Sequence, residues 1–279
     1  MLNASNMEKF PVYPYAFIQV PAVGRKAGID VISKDLLGVS SELWKQTIRG
    51  LIEQHDPLMI LITLRNTDSL VSRDYASDAT DAYFPIERTR DLVNAIREVS
   101  DLKIVLGGFG FSLLPTDLMW YIRPDMGVLG GSDDFFAYFE EIEEGNYRKV
   151  PSLIFIQGEK LISNPRVLHP PHSEAEYTPQ AINEMMKFYD AFPSPGFQGA
   201  PVEIMRGCCH SCLFCAEPRS AGSQIRYRDL DAIMKDIQIL SDNGITKVYM
   251  ISSELNPEGN EFILLLADRI LAFNATQPE

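Results

Sequence analysis

The sequence predicts an α/β protein that begins with a doubly wound, Rossmann-like parallel sheet. Short apolar runs rich in β-forming residues alternate with helical segments through residues 1–150, and glycines or polar residues lie at the junctions. The chain has 279 residues, which is too many for one average domain and enough for two. We therefore expect a second domain after this sheet.

Local patterns predict the individual elements of the first domain. Four short apolar runs predict strands at residues 16–20, 58–64, 103–106 and 126–129. Segments with one apolar face at helical spacing predict helices at residues 42–54, 87–99, 114–122 and 134–144. Residues 152–163 predict a small hairpin around Gln157 and Gly158.

Composition excludes several classes of protein. Hydrophobic residues make up 46% of the chain and charged residues 23%, as in ordinary globular proteins. The net charge of −13 provides no basic field for a phosphate backbone, so nucleic acid is not an expected partner. Neither an apolar run of about 20 residues nor a secretory signal is visible, so we expect no membrane association and a cytoplasmic location.

Glycines and polar residues cluster where three predicted strands end. Arg65 and Asn66 follow one strand, and two further loops contribute Gly107, Gly108, Ser112, Gly130 and Gly131. Ligands bind at the carboxyl ends of open α/β sheets, and glycine lets the backbone approach them closely. The pattern therefore favours a ligand here, although glycines also serve as simple turns. The glycine spacing does not indicate a nicotinamide cofactor.

The second half of the chain begins with a proline-rich connector and continues with further α/β elements. Prolines are dense between residues 164 and 199, where one helix is predicted at 180–190. The predicted division is therefore residues 1–150, a hairpin and linker at 151–199, and a second domain at 200–279. That domain is expected to contain strands at 201–205 and 247–251 and helices at 230–241 and 261–273, with Asp229 capping the first helix.

All four cysteines lie within one short segment that follows the strand at 201–205. Cys208, Cys212 and Cys215 have C-x3-C-x2-C spacing, and Cys209 is left over. Crowded thiols suit metal binding better than a disulfide framework. Three thiolates from one loop can hold three corners of a four-iron cluster. A structural zinc site is the alternative, with His210 as the fourth ligand, but closing a tetrahedron within one loop is awkward.

This motif resembles that of the radical S-adenosylmethionine enzymes, which carry the same spacing after a strand and an aromatic residue before the third cysteine. The resemblance implies that Cys208, Cys212 and Cys215 bind a [4Fe-4S] cluster and that Phe214 lies near the adenine of S-adenosylmethionine. In that family the open iron chelates S-adenosylmethionine, and one-electron reduction yields a 5′-deoxyadenosyl radical. The resemblance also implies a donor such as a flavodoxin or ferredoxin.

Residues after the strand at 247–251 correspond to a second family motif. The family carries Gly-Gly-Glu where this chain has Ser252-Ser253-Glu254. The resemblance implies that Ser253 and Glu254 meet the methionyl ammonium, because a carboxylate makes a charge-assisted hydrogen bond with it. The departure from glycine leaves a solvated loop as the alternative.

The order of domains is similar to that of the cobalamin-dependent branch of this family. By this resemblance the cobalamin-binding residues are Arg65, Asn66, Gly107, Gly108, Ser112, Gly130 and Gly131. The chain has no Asp-x-His-x-x-Gly, so no histidine is expected below the cobalt. Arg65 is the candidate for that face, and an ordinary surface arginine is the alternative. The implied activity is methyl transfer to a small-molecule or peptide substrate; the alternatives are a cyclase of the same branch and a non-catalytic carrier that needs a partner chain.

The resemblance implies a partial barrel of six βα units for the second domain. At about 30 residues per unit, this barrel needs close to 200 residues, whereas Ala200 to Glu279 spans 80. We therefore expect an incomplete radical S-adenosylmethionine barrel. A fragment of a longer enzyme is the favoured explanation, and a barrel completed by a partner or a degenerate homologue are the others. The substrate-binding and catalytic residues would lie beyond this region.

Overall fold

The structure is a computed structural model that describes residues 1–4, 12–67, 70–73, 80–174, 176–192 and 199–277. It contains two compact units, Met1–Val167 and Leu168–Glu279. Among the helices within the described ranges, none combines the length and apolar character needed to cross a lipid bilayer.

The first unit is built on a seven-stranded, mostly parallel sheet in the order β2-β1-β3-β6-β7-β8-β9. Its strands are β1 (Leu2–Asn3), β2 (Lys34–Asp35), β3 (Met59–Thr63), β6 (Lys103–Gly107), β7 (Met126–Val128), β8 (Leu153–Gln157) and β9 (Lys160–Ser163). The first five run parallel, and the β8–β9 hairpin is antiparallel. A separate antiparallel pair joins β4 (Leu70–Arg73) to β5 (Thr80–Tyr83).

Helices cover both faces of this sheet, as a doubly wound fold requires. The helices of this unit are α1 (Ala16–Lys26), α2 (Trp44–His55), α3 (Pro85–Arg97), α4 (Phe109–Leu113), α5 (Pro115–Ile122), α6 (Asp133–Ala137) and α7 (Phe139–Glu143). One core contains buried residues of α2, α3 and α5, including Trp44, Ile96 and Met119. The other contains residues of α1, α6 and α7, including Val23 and Phe135. The predicted fold class is confirmed.

Two element predictions in this unit are wrong. Residues 16–20 lie in α1 rather than in a strand, and α1 buries Phe17, Ile18, Ala22 and Val23. These positions repeat with a helical period, which a five-residue apolar run is too short to reveal. The single helix predicted at residues 134–144 is interrupted at Tyr138, whose φ and ψ of −112° and 30° depart from helical values.

The predicted hairpin is present, and it extends the sheet of the first unit instead of belonging to a connector. Strand β8 pairs with β7, and Asn164 donates to Leu153 O over 2.9 Å. Residues 193–198 of the predicted linker lie outside the described residues. The assignment of cofactors to domains remains a prediction.

The second unit contains two βα segments and a short hairpin. Its elements are α8 (Pro179–Ala191), β10 (Ala200–Glu203), β11 (Met205–Arg206), α9 (Glu217–Ala221), β12 (Arg226–Tyr227), α10 (Leu230–Asp242), β13 (Val248–Ile251) and α11 (Glu261–Asn274). Strands β10 and β13 are parallel, whereas β11 and β12 are antiparallel. Asp229 caps α10 as predicted, since its Oδ1 accepts from the N–H groups of Asp231 and Ala232.

Candidate functional site

Loops that follow β3 and β6 contact each other at the carboxyl edge of the first unit's sheet. The Leu64 N–H donates to Gly107 O over 2.8 Å, and the Gly110 N–H donates to Leu64 O over 3.0 Å. Gly108 has φ 104° and ψ 171°, and a Cβ added there would lie 2.6 Å from Leu64 O. The Gly110 N–H also lies 3.1 Å from Arg65 O, and a Cβ at Gly110 would lie 3.1 Å from Asn66 C, so Arg65 and Asn66 lie beside the loop that follows β6.

Ser112 links the loop that follows β6 to the loop that follows β7. Its hydroxyl donates to Gly108 O and accepts from the Gly130 N–H, each over 3.0 Å. Gly130 has φ 79°, and the Arg166 guanidinium occupies the space that a Cβ of residue 130 would need. Burial lowers the pKa of Arg166. All three loops singled out by the sequence therefore meet at one edge of the sheet.

A cavity of about 90 Å³ lies at this edge. Its lining includes Gly107, Gly108 and Gly130 together with Ser132 and the apolar residues Val20, Leu61, Val105, Val128, Phe135 and Phe136. The Ser132 hydroxyl is buried and has no hydrogen-bond partner within the described part of the chain. A buried hydroxyl without a partner is available to hydrogen-bond a ligand. The apolar walls and this hydroxyl therefore suit an aromatic group that offers one polar atom to Ser132.

The cysteines lie on a loop, residues 207–216, that the β11–β12 hairpin holds at its base. Gly207 has φ 89°, and a Cβ there would lie 2.1 Å from Gln224 O. The Cys208 N–H donates to Gly222 O over 3.1 Å. Beside this base, Arg206 donates to both carboxylate oxygens of Glu203 over 2.7 and 2.8 Å. The N-terminal end of the loop is therefore fixed by backbone contacts and lies beside an ion pair.

The four thiols are all free, and their exposure differs. Cys208 is buried, whereas Cys209, Cys212 and Cys215 are exposed. Phe214 is 93% exposed. Within the described residues, no three His, Cys, Asp or Glu side chains converge closely enough to hold a metal ion. The donors suit an iron–sulfur cluster in chemistry and in sequence spacing, but the sulfur atoms must move together to ligate one.

Cys209 differs from the other three in its surroundings. Its Sγ lies 3.6 Å from Pro257 O and donates a weak hydrogen bond to it. The neighbouring Tyr227 ring packs against Phe262 with centroids 4.5 Å apart. Burial, together with the nearby Glu258 carboxylate, raises the pKa of Tyr227. Cys209 thus contacts the segment that follows β13.

The segment after β13 reaches the cysteine loop through Ser253. The Ser253 hydroxyl donates to Glu217 Oε1, in the first turn of α9. Glu254 is exposed, and its Oε1 accepts from the N–H of the adjacent Leu255 over 3.2 Å. Of the two residues predicted to meet S-adenosylmethionine, Ser253 is thus bonded to the cysteine-bearing region, whereas Glu254 contacts its own loop.

A fully buried ion pair joins α10 to the residue that follows β12. Arg228 donates to Asp236 Oδ2 over 2.6 Å, and both side chains have no exposed surface. Arg228 also donates to the carbonyls of His172 and Glu174, while Asp236 Oδ1 accepts from the Glu176 N–H over 2.8 Å. This network attaches residues 172–174 and 176–177, which we call the strap, to α10 and to Arg228, the residue that follows β12.

Several of these residues escaped the sequence analysis. Glu217 lies two positions after Cys215, outside the family motif, and Ser132 directly follows Gly131 but carries no distinguishing pattern. Asp236 did carry a signal, because it lies on the apolar stripe of α10 between the buried Ile233 and Ile237. A charged residue on a buried helix face indicates a buried partner.

Comparison with known proteins gives distant relatives of defined chemistry. No protein-family model matches. The chain is 22% identical over 292 residues to tryptophan 2-C-methyltransferase of Streptomyces laurentii, an alignment that covers 88% of this chain and 47% of that protein. Over 75 residues it is 36% identical to tRNA-2-methylthio-N(6)-dimethylallyladenosine synthase of Alcanivorax borkumensis, with 26% of this chain and 16% of that protein covered.

Solved structures give a closer match in fold. The radical S-adenosylmethionine methyltransferase TsrM from Kitasatospora setae, solved with tryptophan and an S-adenosylmethionine analogue, superposes with a TM-score of 0.82 at 21% identity. The alignment covers 100% of this chain and 51% of TsrM. The cobalamin-dependent S-adenosylmethionine radical enzyme OxsB, solved with aqua-cobalamin, gives a TM-score of 0.71 at 17% identity, with 100% of this chain and 37% of OxsB covered.

The chain spans about half the length of the tryptophan methyltransferase and of TsrM. Over that span both of its units have counterparts in TsrM and OxsB, since the alignments include every residue of the chain. The chain therefore shares its fold with the cobalamin-dependent radical S-adenosylmethionine enzymes, the family that its cysteine spacing and strand-end glycines indicated.

Proposed function

We propose that the chain is the cofactor-binding part of a cobalamin-dependent radical S-adenosylmethionine methyltransferase. The observation that carries this proposal is the C-x3-C-x2-C loop, with three free thiols, in a chain that has the fold of TsrM. When bound, the cofactors supply reductive cleavage of a sulfonium and a transferable methyl group. The residues of this chain hold and orient those cofactors.

In this proposal Cys208, Cys212 and Cys215 hold three irons of a [4Fe-4S] cluster. Thiolates are the ligands that such clusters prefer. Fixing Gly207 and Cys208 against residues 222–224 leaves the more exposed Cys212 and Cys215 free to approach the cluster as it assembles. Phe214, exposed on the same loop, is assigned to the adenine of S-adenosylmethionine.

Cobalamin is assigned to the carboxyl edge of the sheet in the first unit. Gly107, Gly108, Gly130 and Gly131 would allow close backbone approach, and Ser112 holds two of these loops together. The apolar cavity with the Ser132 hydroxyl suits the aromatic base of the nucleotide tail. Arg65 and Asn66 extend beside these loops, with Arg65 assigned to the lower face of the corrin.

The acceptor of the methyl group is proposed to be a small molecule or a peptide. A one-electron donor such as a flavodoxin or ferredoxin would be required, and four free thiols suit a reducing cytoplasmic compartment. The net charge of −13 argues against nucleic acid as the substrate.

A second candidate is a non-catalytic carrier of cobalamin or cluster that needs a partner chain. Helix α11 favours the carrier. Leu266 is the one fully buried apolar residue of this helix, whereas Leu264, Leu265 and Leu271 are exposed. A helix that is apolar on several sides normally packs against more than one neighbour.

Single-turnover chemistry separates the two candidates. The anaerobically reconstituted chain is mixed with cobalamin, reductant and S-adenosylmethionine, and 5′-deoxyadenosine and bound corrinoid are measured. An active enzyme yields 5′-deoxyadenosine and retains corrinoid absorbance. A carrier retains the corrinoid but yields no nucleoside, and a chain that binds no corrinoid contradicts the cobalamin assignment while leaving the cluster assignment intact.

A further inference from the structure

A largely buried ion pair lies between β10 and the cysteine loop. Arg206 donates to both carboxylate oxygens of Glu203, from Nε to Oε1 over 2.7 Å and from Nη2 to Oε2 over 2.8 Å. The side chains of Arg206 and Glu203 are only 13% and 8% exposed. A pair with two parallel hydrogen bonds fixes the orientation of both groups as well as their separation. It therefore defines the path of the chain as it enters the loop.

The backbone anchors both partners of this pair. Glu203 is the last residue of β10, where it lies in register with Ile251 of β13. Arg206 belongs to β11, which pairs with β12. Cys208 follows Arg206 by two residues, is 7% exposed, and donates its N–H to Gly222 O over 3.1 Å. The buried position of the first cysteine thus depends on the backbone path that the ion pair fixes.

Arginines are concentrated at the base of the cysteine loop, although the chain as a whole has a net charge of −13. Arg206 of β11 lies directly opposite Arg226 of β12, and Arg228 follows β12. Like charges that face each other across two strands are destabilising, so strand pairing does not explain this arrangement. A negatively charged group bound in the loop would offset the repulsion.

We infer that the Glu203–Arg206 ion pair holds Cys208 in position for the cluster and that the Arg206 charge raises the reduction potential of the bound cluster. The inference rests on the proposed function. A cluster held by three thiolates is anionic and becomes more so on reduction, and its potential depends on the net charge around it. The Cα atoms of Arg206 and Cys208 are at most about 7 Å apart, because two residues separate them. A largely buried charge so close to a ligand is screened by salt much less than a surface charge.

Thiol labelling of the cluster-free chain tests the positioning role. The chain is treated with N-ethylmaleimide for increasing times, and tandem mass spectrometry identifies which cysteines are labelled. Cys208 should react about 10-fold or more slowly than Cys212 and Cys215, because it is buried whereas they are exposed. Arg206→Gln should raise the labelling rate of Cys208 about 10-fold, the usual effect of losing hydrogen bonds between charged groups, and leave the exposed cysteines unchanged.

Redox titration of the reconstituted chain tests the role of the charge. The chain is reconstituted anaerobically, poised with mediators at an electrode that supplies the electron, and followed by electron paramagnetic resonance without S-adenosylmethionine. Arg206→Gln should make the cluster potential more negative and Glu203→Gln more positive, since the two variants remove charges of opposite sign. Arg206→Lys retains the charge but not the planar set of donors. Its potential should stay near that of the wild type, while Cys208 labels faster.

Lys187→Gln is the matched control for the loss of one charge. Lys187 pairs with Glu184 at the same three-residue spacing, within α8, but these side chains are 63% and 50% exposed. An exposed pair contributes little and is screened by salt. This variant should change neither the labelling of Cys208 nor the cluster potential. Circular dichroism and iron content are measured for every variant.

Two results would overturn the inference. Cys208 could label at the wild-type rate in both Arg206→Gln and Arg206→Lys. The cluster potentials of Arg206→Gln and Glu203→Gln could also shift in the same direction, or not at all. If Arg206→Gln folds but takes up no cluster, Glu203→Gln alone tests the charge; if it does not fold, the labelling of Arg206→Lys tests the positioning. A wild-type chain that protects Cys208 but assembles no cluster would instead contradict the proposed function.

Discussion

Single residues explain why the loops at the sheet edge take their observed paths. Gly108 has a backbone conformation that is essentially restricted to glycine, and it lies against Leu64 O. Ser112 then ties that loop to Gly130 through one hydroxyl that both donates and accepts. The glycines predicted to admit a ligand are thus also required by the packing of the loops on one another.

Gly108→Ala is expected to lower the free energy of unfolding of the first unit by about 2–3 kcal/mol, because it adds both backbone strain and a clash. Both tryptophans, Trp44 and Trp120, lie in this unit, so their fluorescence during urea unfolding follows it specifically. Gly28→Ala is the matched control: its φ is 74°, but no atom lies within 4 Å of the added Cβ. The control should cost about 1 kcal/mol. Equal losses for the two variants would show that the contact with Leu64 is unimportant.

Among the residues of the candidate site, sequence reasoning was most informative where chemistry is encoded locally. The cysteine spacing and the glycines at strand ends can be recognised without knowing any long-range contact. Glu217 could not be found in this way, because its hydrogen bond with Ser253 joins residues that are 36 positions apart in sequence. Arg228 and Asp236 likewise acquire their role only when the strap is placed against them.

At the scale of elements, the strap is held by buried polar contacts to α10 and to Arg228, which follows β12. Arg228 and Asp236 form an ion pair with no exposed surface, and each also binds backbone groups of the strap. The Tyr177 hydroxyl donates to Pro201 O over 2.7 Å, and burial raises the pKa of Tyr177 well above its ordinary value. Burying charge is costly unless it is matched, so this attachment depends on both partners.

Asp236→Asn should release the strap, because it removes the charge that balances the buried Arg228 guanidinium. The expected cost is about 3 kcal/mol, equivalent to roughly 100-fold faster amide hydrogen exchange in a peptide covering residues 172–177. Asp231→Asn is the matched control, because Asp231 lies on α10 like Asp236 but forms an exposed ion pair with Arg269 of α11. This variant should leave the exchange rate within a few-fold of wild type. Unchanged exchange in Asp236→Asn would mean that the ion pair does not hold the strap.

Four long helices were predictable from an apolar face at helical spacing. Helices α2, α3, α10 and α11 appear close to their predicted bounds. The run at residues 16–20 was misassigned because five apolar residues do not distinguish a strand from one side of α1. The two-residue strands β1 and β2 could not be predicted, since each exists only through pairing with a neighbouring strand.

For the whole molecule, the two described units correspond to only part of the solved chains that share their fold. TsrM and OxsB are matched over only 51% and 37% of their chains. Helix α11 keeps three leucines exposed, and a helix of this kind normally packs against further neighbours. The fold class was predictable from sequence, but the substrate was not, because no residue here was assigned to it.

Iron and sulfide analysis with Mössbauer spectroscopy of the anaerobically reconstituted chain tests the assignment of the cluster ligands. We expect about one [4Fe-4S] cluster per chain in the wild type and in Cys209→Ala, because the Cys209 sulfur contacts Pro257 and is not assigned to the cluster. Cys212→Ala should lose the four-iron spectrum. Equal loss in both variants would show that the ligands are wrongly assigned, and a zinc-containing protein without a cluster would contradict the radical chemistry altogether.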